Sequence, residues 1–184
     1  TAARVPPGAQ VAIVGAGGVG LNVVQGAAIA GCTRIIAIDR RPAPLALART
    51  FGATDVVEAA SNVVDAVRDL TGGRGANFVF DTVGTPATLS DALAAARKGG
   101  TVVLTGLSRI DAISSVSMFP LVMQEKRLIG SVYGSGRPPD ENRLDTVELG
   151  RLLGGFRAIR TRDQHVDRCR YLRCCCDGLR GRFV

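Results

Sequence analysis

Gly15-Ala16-Gly17-Gly18-Val19-Gly20 sets glycines at the first, third and sixth places of a six-residue turn. The turn follows the apolar run Val11-Ala12-Ile13-Val14 and opens a stretch of helical composition. Each glycine at that spacing has its own use. The first permits a tight bend, the second lets the backbone approach a pyrophosphate, and the third lets helix and strand pack closely, while the helix N-terminus aims free amides at the anion. Asp39 completes the constellation. It ends the next apolar run, Ile35-Ile36-Ala37-Ile38, 19 residues beyond Gly20, where a carboxylate can accept hydrogen bonds from both hydroxyls of an adenine ribose. Either feature alone is weak, but in register they point to a bound dinucleotide.

The sign of Asp39 bears on which dinucleotide. Its charge repels a 2′-phosphate, so NAD is expected in preference to NADP. Arg40 and Arg41 follow at once and act the other way. Their guanidinium groups could stack on adenine, neutralise a 2′-phosphate or stand solvated in a loop.

Strands and helices must alternate to position these residues. The punctuation predicts strands at 11–14, 34–38, 55–57, 77–80, 101–105 and 128–132, separated by helices at 19–30, 43–50, 62–70, 86–96 and 119–124. A further helix is expected at 141–153. Strands joined by helices of this length must be parallel, and right-handed crossovers stack helices on both faces of one sheet. The expected fold class is therefore α/β: a Rossmann-type, doubly wound, six-stranded parallel sheet of order 3-2-1-4-5-6. Its ligand sits at the carboxyl ends of the strands. Those ends read Asp81-Thr82-Val83-Gly84, Thr105-Gly106-Leu107 and Ser131-Val132-Tyr133-Gly134, where small residues permit backbone contact with a cofactor.

Composition agrees with this fold class. The chain has 184 residues, 46% of them hydrophobic and 21% charged, with no Trp, two Tyr and six Phe, so its apolar content is aliphatic, as a sheet covered on both faces requires. No charge lies between Arg4 and Arg34, but that interval holds seven glycines and breaks into strand, turn and helix rather than a membrane span. The net charge of +7 is uneven: residues 1–156 hold 15 Lys and Arg against 13 Asp and Glu, whereas residues 157–184 hold eight Arg against three Asp. Basicity confined to a tail argues against nucleic-acid binding by the main domain. Cys169, Cys174, Cys175 and Cys176 lack the spacers of a zinc site, so reduced thiols and a cytoplasmic location are expected, with Cys32 serving in packing. The first residue is Thr1 and no targeting signal is visible, as in a piece of a longer protein.

The stretch GAGGVGLNVVQGAAIAGCTRIIAID, with ARTFGATDVV, GANFVFDTVG, GGTVVLTGL and LIGSVYGSG in that order, resembles the coenzyme domain of zinc-containing medium-chain alcohol dehydrogenases. The likeness runs from about residue 5 to about residue 157. It implies NAD-linked oxidation of an alcohol or aldehyde adduct, with the diphosphate over Gly17, Gly18 and Val19 and the ribose on Asp39. It further implies a nicotinamide near Val83, Thr105, Ser131 and Tyr133, with Leu107 beside it, and a homo-oligomer formed through the last strand.

Two departures limit what the resemblance carries. The Lys that family members often hold five residues after the ribose-binding Asp is Pro44 here, so a cation must come from Arg40 or Arg41. The family's zinc ligands and proton relay belong to a domain upstream of the matched segment. This chain is thus expected to hold no catalytic residue and no metal, His165 being a solvated residue, and to bind cofactor without turnover. Residues 1–156 are expected to form the NAD-binding domain, and residues 157–184 an irregular basic extension or the product of a shifted reading frame. The alternatives are a non-catalytic NAD(H)-binding sensor or assembly module and an NADP-linked quinone reductase of the same superfamily. Gly20 and the second βαβ half disfavour a methyltransferase using S-adenosylmethionine.

Overall fold

Val11-Ala12-Ile13-Val14 carries no polar side chain on either face, so the strand it forms must lie between two apolar layers. It does: β1 (Gln10–Val14) is buried at all four of these residues. A computed structural model describes residues 3–59 and 62–132. These lie in the first of the chain's two units, Thr1–Ser135, and the second, Gly136–Val184, falls outside them.

After β1 come α1 (Gly18–Ile29), β2 (Arg34–Asp39), α2 (Pro42–Thr50) and β3 (Asp55–Glu58). The second half runs α3 (Val63–Leu70), β4 (Ala76–Asp81), α4 (Pro86–Ala95), β5 (Ala96–Leu104), α5 (Met118–Met123) and β6 (Arg127–Gly130). The strands form one sheet in the order β3-β2-β1-β4-β5-β6, every neighbouring pair parallel. This is the Rossmann-type doubly wound topology expected from the alternation of strands and helices.

Strand periodicity then divides the core. Val11, Ile13, Ile35 and Ala37 face α1 and α2, where Val24, Ala27, Leu45 and Ala48 meet them. Ala12, Val14, Ile36 and Ile38 face the opposite way, toward Val67, Leu89 and Ala92 of α3 and α4. Each fully buried Val or Ile contributes ~1.5–3 kcal/mol of transfer free energy, so the central strands are the most strongly held part. Cys32 packs against the α1–α2 side, as expected of it.

The boundaries differ from the sequence reading in one informative place. The fifth strand begins at Ala96, not at 101, because Ala96 leaves α4 in extended conformation and pairs with Ala76 before a register shift. Arg97-Lys98-Gly99-Gly100 looks like a loop by composition, yet Gly100 is packed so that a Cβ would stand 2.7 Å from the Arg97 carbonyl. The helix expected at 141–153 and the proposed boundary at residue 156 lie outside the described residues.

Candidate functional site

The glycines of the first turn divide into two kinds. Gly15 has φ +92°, and a Cβ there would meet Thr82 Oγ1 and Val83 Cγ2, each at 2.7 Å. At Gly20 a Cβ would lie 1.8 Å from the Gly15 carbonyl oxygen. These two serve the strand-to-helix packing itself. Around Gly17 and Gly18, by contrast, nothing stands within 4 Å of an added Cβ. Gly17 caps α1 in extended conformation with no side-chain hydrogen bond, and the first turn contains no acidic residue. The helix start is therefore an open cradle whose first amides are not claimed by a side chain, a surface suited to an anion.

Asp39 stands at the end of β2, its side chain 13% exposed. Its Oδ2 accepts from the Ala16 amide at 2.9 Å and its Oδ1 from the Arg41 amide at 3.0 Å. An ionised carboxylate offers about four lone-pair positions, so acceptor capacity remains for two hydroxyls. Arg41 Nε lies 3.7 Å from Oδ1. Arg40 is exposed, and among the described residues no hydrogen bond or ion pair ties it to Asp39.

The ends of β4 and β5 are joined to this turn and to each other. Thr82 Oγ1 sits 2.9 Å from both the Val14 and the Gly15 carbonyls, sharing its one proton between them. Gly84 and Gly106 touch closely: a Cβ on the first would stand 2.4 Å from the Gly106 oxygen, and one on the second 2.4 Å from the Gly84 nitrogen. These glycines, which sequence reasoning gave to a ligand, are required by the contact between the two loops.

A pocket of about 830 Å³ opens beside α1 and the ends of β4 and β5, lined by Val19, Asn22, Thr82, Thr105, Leu107 and Ser131 among others. It brings Val19, Thr105, Leu107 and Ser131 together as the sequence implied. Gly15, Gly17, Gly18, Gly20, Asp39, Arg40 and Val83 are not in its lining. Val83 is 42% exposed and reaches the turn through its contact at Gly15. Tyr133 lies outside the described residues. Sequence reasoning passed over Asp81, which is fully buried and holds the loop after β4. An Asp followed by Gly three residues on is the mark of an Asx-type turn and could have signalled it.

Among the described residues no group of three or more His, Cys, Asp or Glu could hold a metal ion, and His165 and the tail cysteines lie beyond them. The described residues thus do not fit zinc, and no chemical step is derived from it. No helix among them is long and apolar enough to cross a membrane.

A parallel sheet in this order, with a glycine turn at its central strand and a carboxylate at the end of the neighbouring one, defines a Rossmann-type doubly wound domain. The family model for zinc-binding dehydrogenases matches residues 18–148, and the chain belongs to that family. It is 36% identical over 154 residues to the NDMA-dependent alcohol dehydrogenase of Amycolatopsis methanolica, covering 82% of this chain and 40% of that one. The crystal structure of benzyl alcohol dehydrogenase from Acinetobacter calcoaceticus superposes with a TM-score of 0.75 at 29% identity, covering 83% of this chain and 43% of that one. A zinc-binding dehydrogenase structure from Sinorhizobium meliloti, bound to NADP, gives a TM-score of 0.68 at 32% identity over 71% of this chain and 39% of that one. The chain spans less than half the length of these relatives.

Proposed function

We propose that this chain is the coenzyme-binding portion of an NAD-dependent alcohol dehydrogenase acting on a small alcohol or aldehyde adduct. The observation that carries the reading is Asp39: a carboxylate fixed at the end of β2 by the Ala16 amide, next to an open helix start, with acceptor positions to spare. The residues that would hold NAD are Gly17, Gly18 and Val19 at the diphosphate, Asp39 at the ribose, and Val83, Thr105, Leu107, Ser131 and Tyr133 around the nicotinamide. Bound NAD supplies a hydride acceptor.

What the chain's own residues contribute is orientation. The start of α1 directs amides at the diphosphate, Asp39 accepts from the ribose hydroxyls, and the loops after β4 and β5 shape the wall beside the ring. On the family resemblance, zinc ligands and proton relay would come from the part of the relatives this chain does not span, so the chain alone is expected to bind dinucleotide without oxidising alcohol. Its partner in solution is a second copy, paired along β6, the edge strand, where Leu128 is exposed. Neither nucleic acid nor a membrane is among its partners, and it works in the cytoplasm.

Equilibrium titration of the purified chain with NADH and NADPH, read by nicotinamide fluorescence, tests the proposal. Tighter binding of NADH supports it, and binding of neither nucleotide removes it. An NADP-linked reading has its own support in Arg41 beside Asp39 and in the Sinorhizobium meliloti relative bound to NADP. Tighter binding of NADPH would select it.

A further inference from the structure

Six hydrogen bonds from backbone or side-chain donors meet at one fully buried residue, Asp81. Its Oδ1 accepts from the amides of Val83 and Gly84, each at 3.0 Å, and its Oδ2 from the Thr88 hydroxyl at 3.0 Å. Its main-chain oxygen accepts from the amides of Thr105 at 2.9 Å and Gly106 at 3.0 Å and from the Thr105 hydroxyl at 3.2 Å. Burying a carboxylate is costly unless donors surround it, and an apolar residue at the end of β4 would avoid that cost. The donors here are mostly the amides of two loops rather than cationic side chains. Asp81 therefore fixes where the backbone runs after β4 with its side chain, and where it runs after β5 with its main chain.

Resting on the dinucleotide reading above, we infer that Asp81 is a positioning residue for the nicotinamide half of the cleft. Its side chain sets Val83 and its main chain sets Thr105, which flank that half, and the side chain makes none of the contacts at the adenosine half, where Ala16 and Asp39 are joined. The two ends of the cofactor should then respond separately to its loss. In Asp81→Asn an amide oxygen can still face Val83 and Gly84, but it is a weaker acceptor, and the amide nitrogen must face Thr88 Oγ1 and reverse that hydroxyl. Thr88→Val leaves the carboxylate in place and removes its Oδ2 partner, together with the capping contacts that Thr88 makes to Thr85 at the start of α4.

The test compares NADH with ADP-ribose, which lacks the nicotinamide, as ligands for the full chain. In Asp81→Asn, NADH affinity should fall ~tenfold and the fluorescence change of bound NADH should shrink, while ADP-ribose affinity stays within ~twofold, as expected for weakening one charge-assisted contact on one side of the cleft. Thr88→Val should move NADH in the same direction by a smaller factor and provides the test should Asp81→Asn not fold. A variant in which both ligands weaken equally, or neither weakens, overturns the inference, since a purely structural role would not separate them. A wild-type chain that binds neither ligand instead refutes the dinucleotide reading, and this inference ends with it.

Discussion

The amide of Ala16 donates to Asp39 Oδ2 across 2.9 Å, so one carboxylate both anchors the turn after β1 and faces the place proposed for the ribose. Asp39→Ala removes both roles. Loss of hydrogen bonds to a charged acceptor, at about 1.5–3 kcal/mol, lowers NADH affinity roughly 10- to 100-fold. NADPH affinity should fall less, because the charge that opposes its 2′-phosphate is gone. Parallel titrations of both nucleotides check the pair of outcomes.

Gly18 and Gly20 are two positions apart and should respond in opposite ways. Gly20→Ala drives a Cβ into the Gly15 carbonyl, so the fold must yield, at ~1–3 kcal/mol or more, and the melting temperature falls by several degrees. Gly18→Ala meets no atom within 4 Å and keeps the wild-type melting temperature. Its methyl group stands in the open cradle, so NADH affinity drops all the same. Thermal melts separate the two variants, and titration of Gly18→Ala checks that affinity is lost without loss of stability.

Gly26 lies inside α1, exposed, with nothing within 4 Å of an added Cβ. Gly26→Ala should stabilise the chain by ~0.5–1 kcal/mol, since alanine loses less backbone entropy in a helix. Urea unfolding followed by circular dichroism measures it, and a destabilised variant would contradict the open space seen there.

Burial raises the Cys32 thiol above its ordinary value. The folded chain then keeps the thiol proton to higher pH than the unfolded chain does. The associated stability is fully present below the unfolded thiol value and is lost as pH rises through the folded one. Between neutral and strongly alkaline pH the wild type should lose more stability than Cys32→Ala, as read from urea midpoints at the two ends of that range.

The sheet order could be read from the sequence because each strand is a short aliphatic run closed by glycine or a polar residue, with a helix-length segment between. The β1 turn and Asp39 were legible because both lie within one βαβ unit, where the spacing along the chain fixes the spacing in the fold. Less legible was what holds the later loops. Gly84 and Gly106 look interchangeable with any turn glycine, and only their mutual contact, between residues 22 apart, shows that each excludes a Cβ because of the other. Asp81 was quoted only as part of the fourth strand end, because its amide donors come together only once the loop is folded. The onset of β5 at Ala96 escaped because an alanine-rich helix gives no sign of where it stops.

The place of β1 at the middle of the sheet has a kinetic consequence. Its partner on one side, β2, begins within about twenty residues, whereas on the other side Val11 pairs with Phe78, far along the chain. Closing the short loop costs little entropy and the long one more, so the first βαβ unit is expected to assemble early and to wait as a half-finished template with one flank of its central strand unpaired. During synthesis that flank is the surface on which a neighbouring chain could dock wrongly, and the arrival of residues 76–81 is the event that ends the exposure.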